Sequence, residues 1–277
     1  MSTAFVHHIA QKGFGVGTND LYDRARPSYQ APVLSHVRNA IQSSPPYNVV
    51  EIGAGTGIFT RALLAHPEWS TAIKELHAVE PSEGMREVFD RTVADERVSV
   101  AEGTFDSTGV PDGWADLVVI AQAFHWCPDY DKASAEFARI LKPNGFVAFV
   151  WNLDDRDAAS WVAQLRDLWE EHEGGSPQFR LGLWRATFST PSYTASFEPP
   201  EENLWRYELP ANRNIVVDRA CSKSFIAILE PEKKQQVVEG IHKILDKGED
   251  LKWIDKENGV FEYPYTTTVV IARKKQA

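Results

Sequence analysis

The chain has 277 residues, 43% hydrophobic and 25% charged, an ordinary mix for a globular fold with one large core or two smaller ones. Its formal net charge of −10 argues against nucleic acid as a partner, because phosphate contacts need a basic face, and no apolar run approaches the ~20 residues of a membrane span. Two cysteines, Cys127 and Cys221, are too few for a disulfide framework and lack the clustered histidines of a metal centre, so no metal and a reducing, cytoplasmic setting are expected.

The start, MSTAFVHHIAQKGFG with its His7–His8 pair, has neither the basic opening nor the long apolar core of a secretory signal. Val33, Leu34, Val37 and Ile41 recur at helical spacing over 31–42, and Ser43-Ser-Pro-Pro breaks the pattern. Strand and helix signals then alternate. Strands are expected at Tyr47–Ile52, 74–79, 97–101, 116–121 and 146–151, and helices at Ile58–Ala65, 84–93 and 131–141. Lys142-Pro-Asn-Gly is expected to stop the last of these helices. Such alternation predicts a parallel sheet covered on both faces.

Beyond it, 158–173 places Trp161, Val162, Leu165, Leu168 and Trp169 on one helix face. Residues 174–200 are rich in Gly, Pro, Ser and aromatics and read as irregular. A strand is expected at 204–209, and a helix at 231–247 with Pro231 in its first turn and Gly248 as its cap. A β-branched, aromatic strand at 260–272 follows. The expected organisation is one domain, with an N-terminal lid (1–46), a cofactor-binding core (47–151), a cap insertion (152–200) and C-terminal helices and strands (201–277).

The first strand runs into VVEIGAGTG at 49–57, where glycines allow a sharp turn and close approach to a ligand. The following helix turns its N-terminal N–H groups towards an anion. Glu80 ends the second strand, where a carboxylate can accept both hydroxyls of a ribose. Gly53, Gly55 and Gly57 give G-x-G-x-G, which is not the G-x-G-x-x-G of a dinucleotide site, and no Gly-Lys-Ser/Thr follows. Dehydrogenase and triphosphate chemistry are therefore disfavoured.

VVEIGAGTG, AVEPSEGM, AEGTF, ADLVVIAQAFHW and ILKPNGFVAFVWN, in that order over 47–152, resemble a class I S-adenosylmethionine-dependent methyltransferase. The flanks YDRARPSYQ (22–30) and FEYPYTTTVVIARK (261–274) resemble its small-molecule branch. HWC at 125–127 is similar to the fungal trans-aconitate and cantharidin methyltransferases. The resemblance implies an α/β Rossmann-like sheet, mostly parallel with an antiparallel C-terminal strand and helices on both faces. It implies S-adenosylmethionine as cofactor and a small-molecule methyl acceptor as partner, with no nucleic acid and no membrane. Gly53, Ala54, Gly55 and Gly57 would wrap the methionine and ribose, and Glu80 would hold the ribose. Ser82 and Met85 would flank ribose and adenine. Gly103, Thr104 and Phe105 would border the adenine, with Glu102 and Asp106 beside them. Tyr22 and Arg26 would close over the cofactor, Arg26 pairing with its carboxylate. Ala121 and Gln122 would touch its methionine end.

On the acceptor side, Tyr29, His125, Trp126, Trp151 and Asn152 are the candidates, with His125 as catalytic base or orienter and Phe124 packing beneath. SPPY at 44–47 matches a motif with which amino-group methyltransferases grip a base or an amide, but it precedes the first strand and reads as a linker. The Trp161/Trp169 stripe is expected in the core, and Lys233-Lys234 and Lys274-Lys275 as solvated charges. A cofactor-binding protein without turnover and a protein-directed methyltransferase are the competing readings.

Overall fold

The computed structural model describes residues 19–276, so the His7–His8 pair and the reading of the extreme N-terminus lie outside the described residues. Along the chain come α1 (Asn19–Ala25), α2 (Ala31–Asn39), β1 (Tyr47–Ile52), α3 (Ile58–Ala65) and the one-turn α4 (Pro67–Ser70). Next are β2 (Ile73–Val79), α5 (Glu83–Thr92), β3 (Val98–Ala101), β4 (Ala115–Ala121), α6 (Tyr130–Ile140) and β5 (Leu141–Asp154). The remainder holds α7 (Ser160–Glu170), α8 (Pro191–Ser196), β6 (Glu201–Ala211), α9 (Arg213–Cys221), α10 (Ser224–Ala227), α11 (Pro231–Lys247), β7 (Trp253–Asp255) and β8 (Val260–Arg273).

The strands form one sheet in the order β3-β2-β1-β4-β5-β8-β6, with β7 paired to β8. β1 to β5 pair in parallel, while β8 runs antiparallel to both β5 and β6. Every residue of β1 and β4 is buried, as a central parallel strand covered on both faces requires. The chain moves outward from β1 to β3 and returns to β4 on β1's other side. The strand order thus reverses between β1 and β4, and a crevice opens at their carboxyl ends, next to Gly53 and Gln122.

One apolar cluster packs α2 and α3 on the first sheet face, through residues such as Val33, Val37 and Phe59. Phe124, Phe137, Phe149 and Trp184 fill the second face. A third cluster joins α7, α9 and α11 to β8. Trp161 and Trp169 are fully buried in it, as their helical spacing predicts.

Several boundaries differ from the sequence reading. α2 ends at Asn39 rather than continuing to 42. Lys142-Pro-Asn-Gly lies inside β5, a strand of fourteen residues that reaches Asp154 because β8 pairs with it from Phe146 to Asp154. Residues 152–154 therefore belong to the sheet. Residues 174–200 are not wholly irregular: Thr190 caps α8 through the Tyr193 N–H, and 3₁₀ turns occupy Phe179–Leu181 and Leu183–Ser189. Lys274 is not a solvated charge, since its ammonium donates to the carbonyls of Ala138 (2.6 Å) and Leu141 (2.7 Å) at the end of α6. Residues 44–46 of SPPY link α2 to β1 and Tyr47 opens that strand, at the opposite end of β1 from the crevice.

Glu51, buried in β1, accepts a hydrogen bond from the Thr60 hydroxyl of α3. Burial pushes its carboxyl up from 4.5 to about 8, with the Thr60 bond opposing the rise. A carboxyl raised on folding stabilises fully below its unfolded value, and the contribution is lost as pH rises through the folded one. The melting temperature of the wild type should therefore fall relative to a Glu51→Gln variant between pH 5 and pH 9. Calorimetric melts of both proteins across that range check this, and parallel pH curves would refute it.

Candidate active site

The crevice starts where β1 ends. Gly53, Gly55 and Gly57 all take left-handed backbone angles, with φ of +72°, +56° and +84°. The Gly53 and Ala54 N–H groups both donate to the Val79 carbonyl (2.7 and 3.2 Å), which pins the loop to the end of β2. A Cβ at Gly53 would fall 2.5 Å from the Ala123 methyl, and one at Gly57 2.6 Å from Val93. Gly103 meets the same limit, 2.6 Å from Val79. These three glycines are needed for packing, whereas a Cβ at Gly55 would meet nothing within 4 Å. Gly55 thus leaves room for close approach of a ligand to the backbone.

Glu80 faces that room. Its Oε2 accepts the Gly55 N–H and its Oε1 the Ser82 N–H, both at 2.9 Å. Burial raises the carboxyl above its ordinary range, and these two N–H donors pull it back down. A carboxylate offers about four lone pairs, so two remain for a vicinal diol. Ser82 caps α5 by accepting the Met85 N–H at 3.3 Å, which places buried Met85 one turn from Glu80. Phe105 stands edge-on to Phe124, ring centres 5.7 Å apart, and the Thr104 hydroxyl donates to Asp106 at 2.8 Å. Glu102 lies 3.5 Å from Arg86, whose guanidinium also donates to the Glu80 carbonyl (2.7 Å). An open glycine, a diol acceptor and an apolar border suit a ribonucleoside cofactor.

The AQAFHW stretch forms the opposite lip. Gln122 leaves β4 with φ +59°, uncommon for a residue bearing a side chain. Its N–H donates to Val150 (2.8 Å) and its amide to the Asn152 carbonyl (2.6 Å), which holds that turn. Phe124 is fully buried beneath, against Phe137 and Phe149. The 3₁₀ turn Phe124–Trp126 then presents His125 and Trp126 to a cavity of about 700 Å³, counting its open mouth.

His125 Nδ1 lies 3.3 Å from Trp151 Nε1. An indole N–H can only donate, so Nδ1 accepts and the ring proton sits on Nε2. Burial and the Arg26 charge push the imidazole down from 6.5 to about 3. At neutral pH, His125 is therefore an uncharged ring with an Nε2–H donor.

The cavity wall includes Tyr22, Arg26, Gln122, His125, Trp126 and Asn152 from the sequence-based set. Of the acceptor-side candidates, two do not line it, and the glycine-loop and Glu80 residues lie outside it in the adjoining crevice. Trp151 is fully buried beneath His125, stacked on Phe179 at 4.7 Å, and Tyr29 stands edge-on to Phe59 at 4.8 Å. Sequence reasoning missed Arg219 and Lys223, which line the cavity from α9 and the turn after it, and Asp154, which pairs with both at the end of β5. Trp169 of the core stripe also shows an edge to the cavity. Arg26 donates to the Ser222 carbonyl at 2.9 Å and lies over the Tyr22 ring. Burial and the Arg219 charge push its guanidinium down to about 10.

The sequence profile of a methyltransferase domain matches residues 50–149. An uncharacterised methyltransferase-like protein of Schizosaccharomyces pombe is 30% identical over 222 residues, covering 78% of this chain and 79% of its own. The malonyl-[acyl-carrier protein] O-methyltransferase of Methylococcus capsulatus is 30% identical over 131 residues, covering 47% of this chain and 44% of its own. Phosphoethanolamine N-methyltransferase 2 of Haemonchus contortus, solved with phosphomonomethylethanolamine and S-adenosylhomocysteine, shares the fold at a TM-score of 0.59 and 15% identity, over 99% of this chain and 61% of that one. Thirty per cent identity across most of both chains, laid on this sheet order and this glycine turn, fixes the family: the chain is a class I S-adenosylmethionine-dependent methyltransferase.

Proposed function

We propose that the enzyme methylates an oxygen of a small organic acceptor, and that this oxygen belongs to a carboxylate. The observation that carries the reading is His125: an imidazole at about 3 is too weak a base to deprotonate an alcohol, yet it offers a fixed N–H donor at the cavity wall. A carboxylate needs no base, because its oxygen is already ionised at neutral pH. It needs a donor to orient it, and Nε2–H supplies one. The name of the Methylococcus relative and the HWC resemblance to trans-aconitate methyltransferases point the same way.

When bound, S-adenosylmethionine supplies a methyl group on a positively charged sulfur. The acceptor oxygen's lone pair forms the new O–CH₃ bond as the S–CH₃ bond breaks, its electrons passing to sulfur. Gly55 and Glu80 would hold the cofactor directly, with Ala54, Ser82, Met85, Thr104 and Phe105 around them and Ala121 and Gln122 at its methionine end. Gly53, Gly57 and Gly103 act through packing. Tyr22, Arg26 and Trp126 enclose the reacting groups and exclude water. Residues 19–46 and 155–200 cover the core within a single domain. Among the described residues no helix is long and apolar enough to cross a membrane; the reading places the enzyme in the cytoplasm, acting on soluble acids.

Incubation with methyl-labelled S-adenosylmethionine and a panel of organic acids tests this. A labelled methyl ester that releases volatile methanol in base is the expected product. A base-stable product would move the methyl to a hydroxyl or nitrogen, and label confined to protein would overturn the small-acceptor reading.

A further inference from the structure

Arg26, Arg219 and Lys223 bring three cations to one region of the cavity wall. Arg219 is 2% exposed and Lys223 8%. Among the described residues their one carboxylate is Asp154, which accepts from the Lys223 ammonium (3.1 Å) and from the Tyr263 hydroxyl (2.9 Å), and lies 3.8 Å from Arg219 Nε. The other nearby cations are already matched: Arg166 pairs with Glu170, and Arg180 with Glu170 and Glu173. Arg219 Nε and Nη1 and Arg26 Nε are buried with no hydrogen-bond partner among the described residues.

A buried guanidinium with idle donors is costly unless something accepts from it. Asp154 carries a single negative charge and cannot neutralise all three cations, and its oxygens already accept from Lys223 and Tyr263. Burial, with the Arg219 and Arg26 charges, pushes Lys223 down to about 7 although Asp154 opposes the fall. The region is short of negative charge.

We propose that Arg219 and Lys223, with Arg26 at the edge, form an anion site that holds a negatively charged group of the acceptor other than the oxygen that reacts. This rests on reading the cavity as the acceptor site. It narrows the substrate class to small acids with at least two anionic groups, one seated here and one oriented by His125. A carboxylate or a phosphate would meet the same donors, and so would the cofactor's own carboxylate; the experiment separates these sources.

The test is isothermal titration of the intact protein, saturated with S-adenosylhomocysteine, with succinate, citrate, succinamide and inorganic phosphate. At least one polycarboxylate is expected to bind, with uncharged succinamide at least tenfold weaker. Arg219→Gln and Lys223→Met should each weaken that binding tenfold or more, with S-adenosylhomocysteine affinity unchanged within twofold. Lys223→Met keeps the Arg219–Asp154 pair, so it stays informative if Arg219→Gln fails to fold. Binding should also take up protons between pH 7 and 9, seen as heats that differ between buffers of different ionisation enthalpy, because an added anion draws a proton back to Lys223. Phosphate binding tighter than either polycarboxylate would support the anion site and name the seated group as a phosphate. Equal binding of succinamide, full affinity in both variants, or no acid binding at all would overturn the site. Variants that lose S-adenosylhomocysteine but keep the acids would give it to the cofactor's carboxylate instead. Binding is read without turnover, so failure of the methyl-ester reading would show separately, in the labelled-product assay.

Discussion

Replacing Glu80 with alanine is expected to leave a folded protein whose affinity for S-adenosylmethionine is at least a hundredfold lower. The carboxylate takes the Gly55 and Ser82 N–H groups, one on each oxygen, and keeps lone pairs for two ribose hydroxyls. Hydrogen bonds to a charged acceptor contribute about 1.5–3 kcal/mol each, so losing two corresponds to roughly two to four orders of magnitude in affinity. Glu80→Gln keeps one acceptor oxygen and should fall between. The glycines give a matched control. Gly55→Ala adds a methyl that meets no protein atom, at the cost of about 1–2 kcal/mol for its left-handed backbone, yet it intrudes where the cofactor would lie. It should melt close to the wild type and bind the cofactor poorly. Gly53→Ala drives a methyl to 2.5 Å from Ala123 and should lower the melting temperature outright. Titration calorimetry with thermal melts distinguishes them; wild-type affinity in Gly55→Ala would remove the cradle.

The second large effect concerns His125. His125→Ala should lower kcat about a hundredfold, or roughly 2.7 kcal/mol, the loss of one oriented donor in a water-poor site. His125→Gln, whose amide can also donate, should recover part of it. The pH–rate curve separates donor from base. A ring pushed down to about 3 is neutral above that value, so the rate should show no ionisation of His125 between pH 5 and 8 and should fall only towards acid. A limb near pH 6.5 that vanishes in His125→Gln would restore the base. Trp151→Phe offers a finer check. It keeps the stacking on Phe179 but removes the N–H that holds Nδ1 as an acceptor. A drop in kcat with little change in KM is expected, because either tautomer can then form.

The cofactor half of the site could be read from sequence because it is local. VVEIGAGTG and Glu80 sit at the ends of adjacent strands, and each motif is a few consecutive residues whose chemistry needs no distant partner. The resemblance also named Gly57 and Gly103, but motif matching cannot separate a glycine that admits a ligand from one that admits Val93 or Val79. Trp151, an acceptor-side candidate by resemblance, lies fully buried under His125 and off the cavity wall, because strand alternation does not say which layer lies between a side chain and a cavity. Arg219 and Lys223 left no local trace. α9 carries no apolar stripe, and the role of its end and the turn after it appears only when Lys223 meets Asp154, 69 residues away in sequence, and Ser222 meets Arg26, 196 residues away. The apolar run of β5 ends at 151 while the strand reaches Asp154, because its last residues are held by β8, more than a hundred residues later.

That long-range hold has a consequence for how the protein is made. Asn152 and Asp154 stand on β5 but are fixed by Thr267 and Tyr263 of β8, across separations of 115 and 109 residues. On a ribosome adding about 5–20 residues per second, the parallel strands and the glycine turn can assemble several seconds before β8 emerges. A nascent chain would thus acquire a nucleoside-binding half first and complete the acceptor chamber last, with the buried charges of α9 waiting on the final strand for their setting.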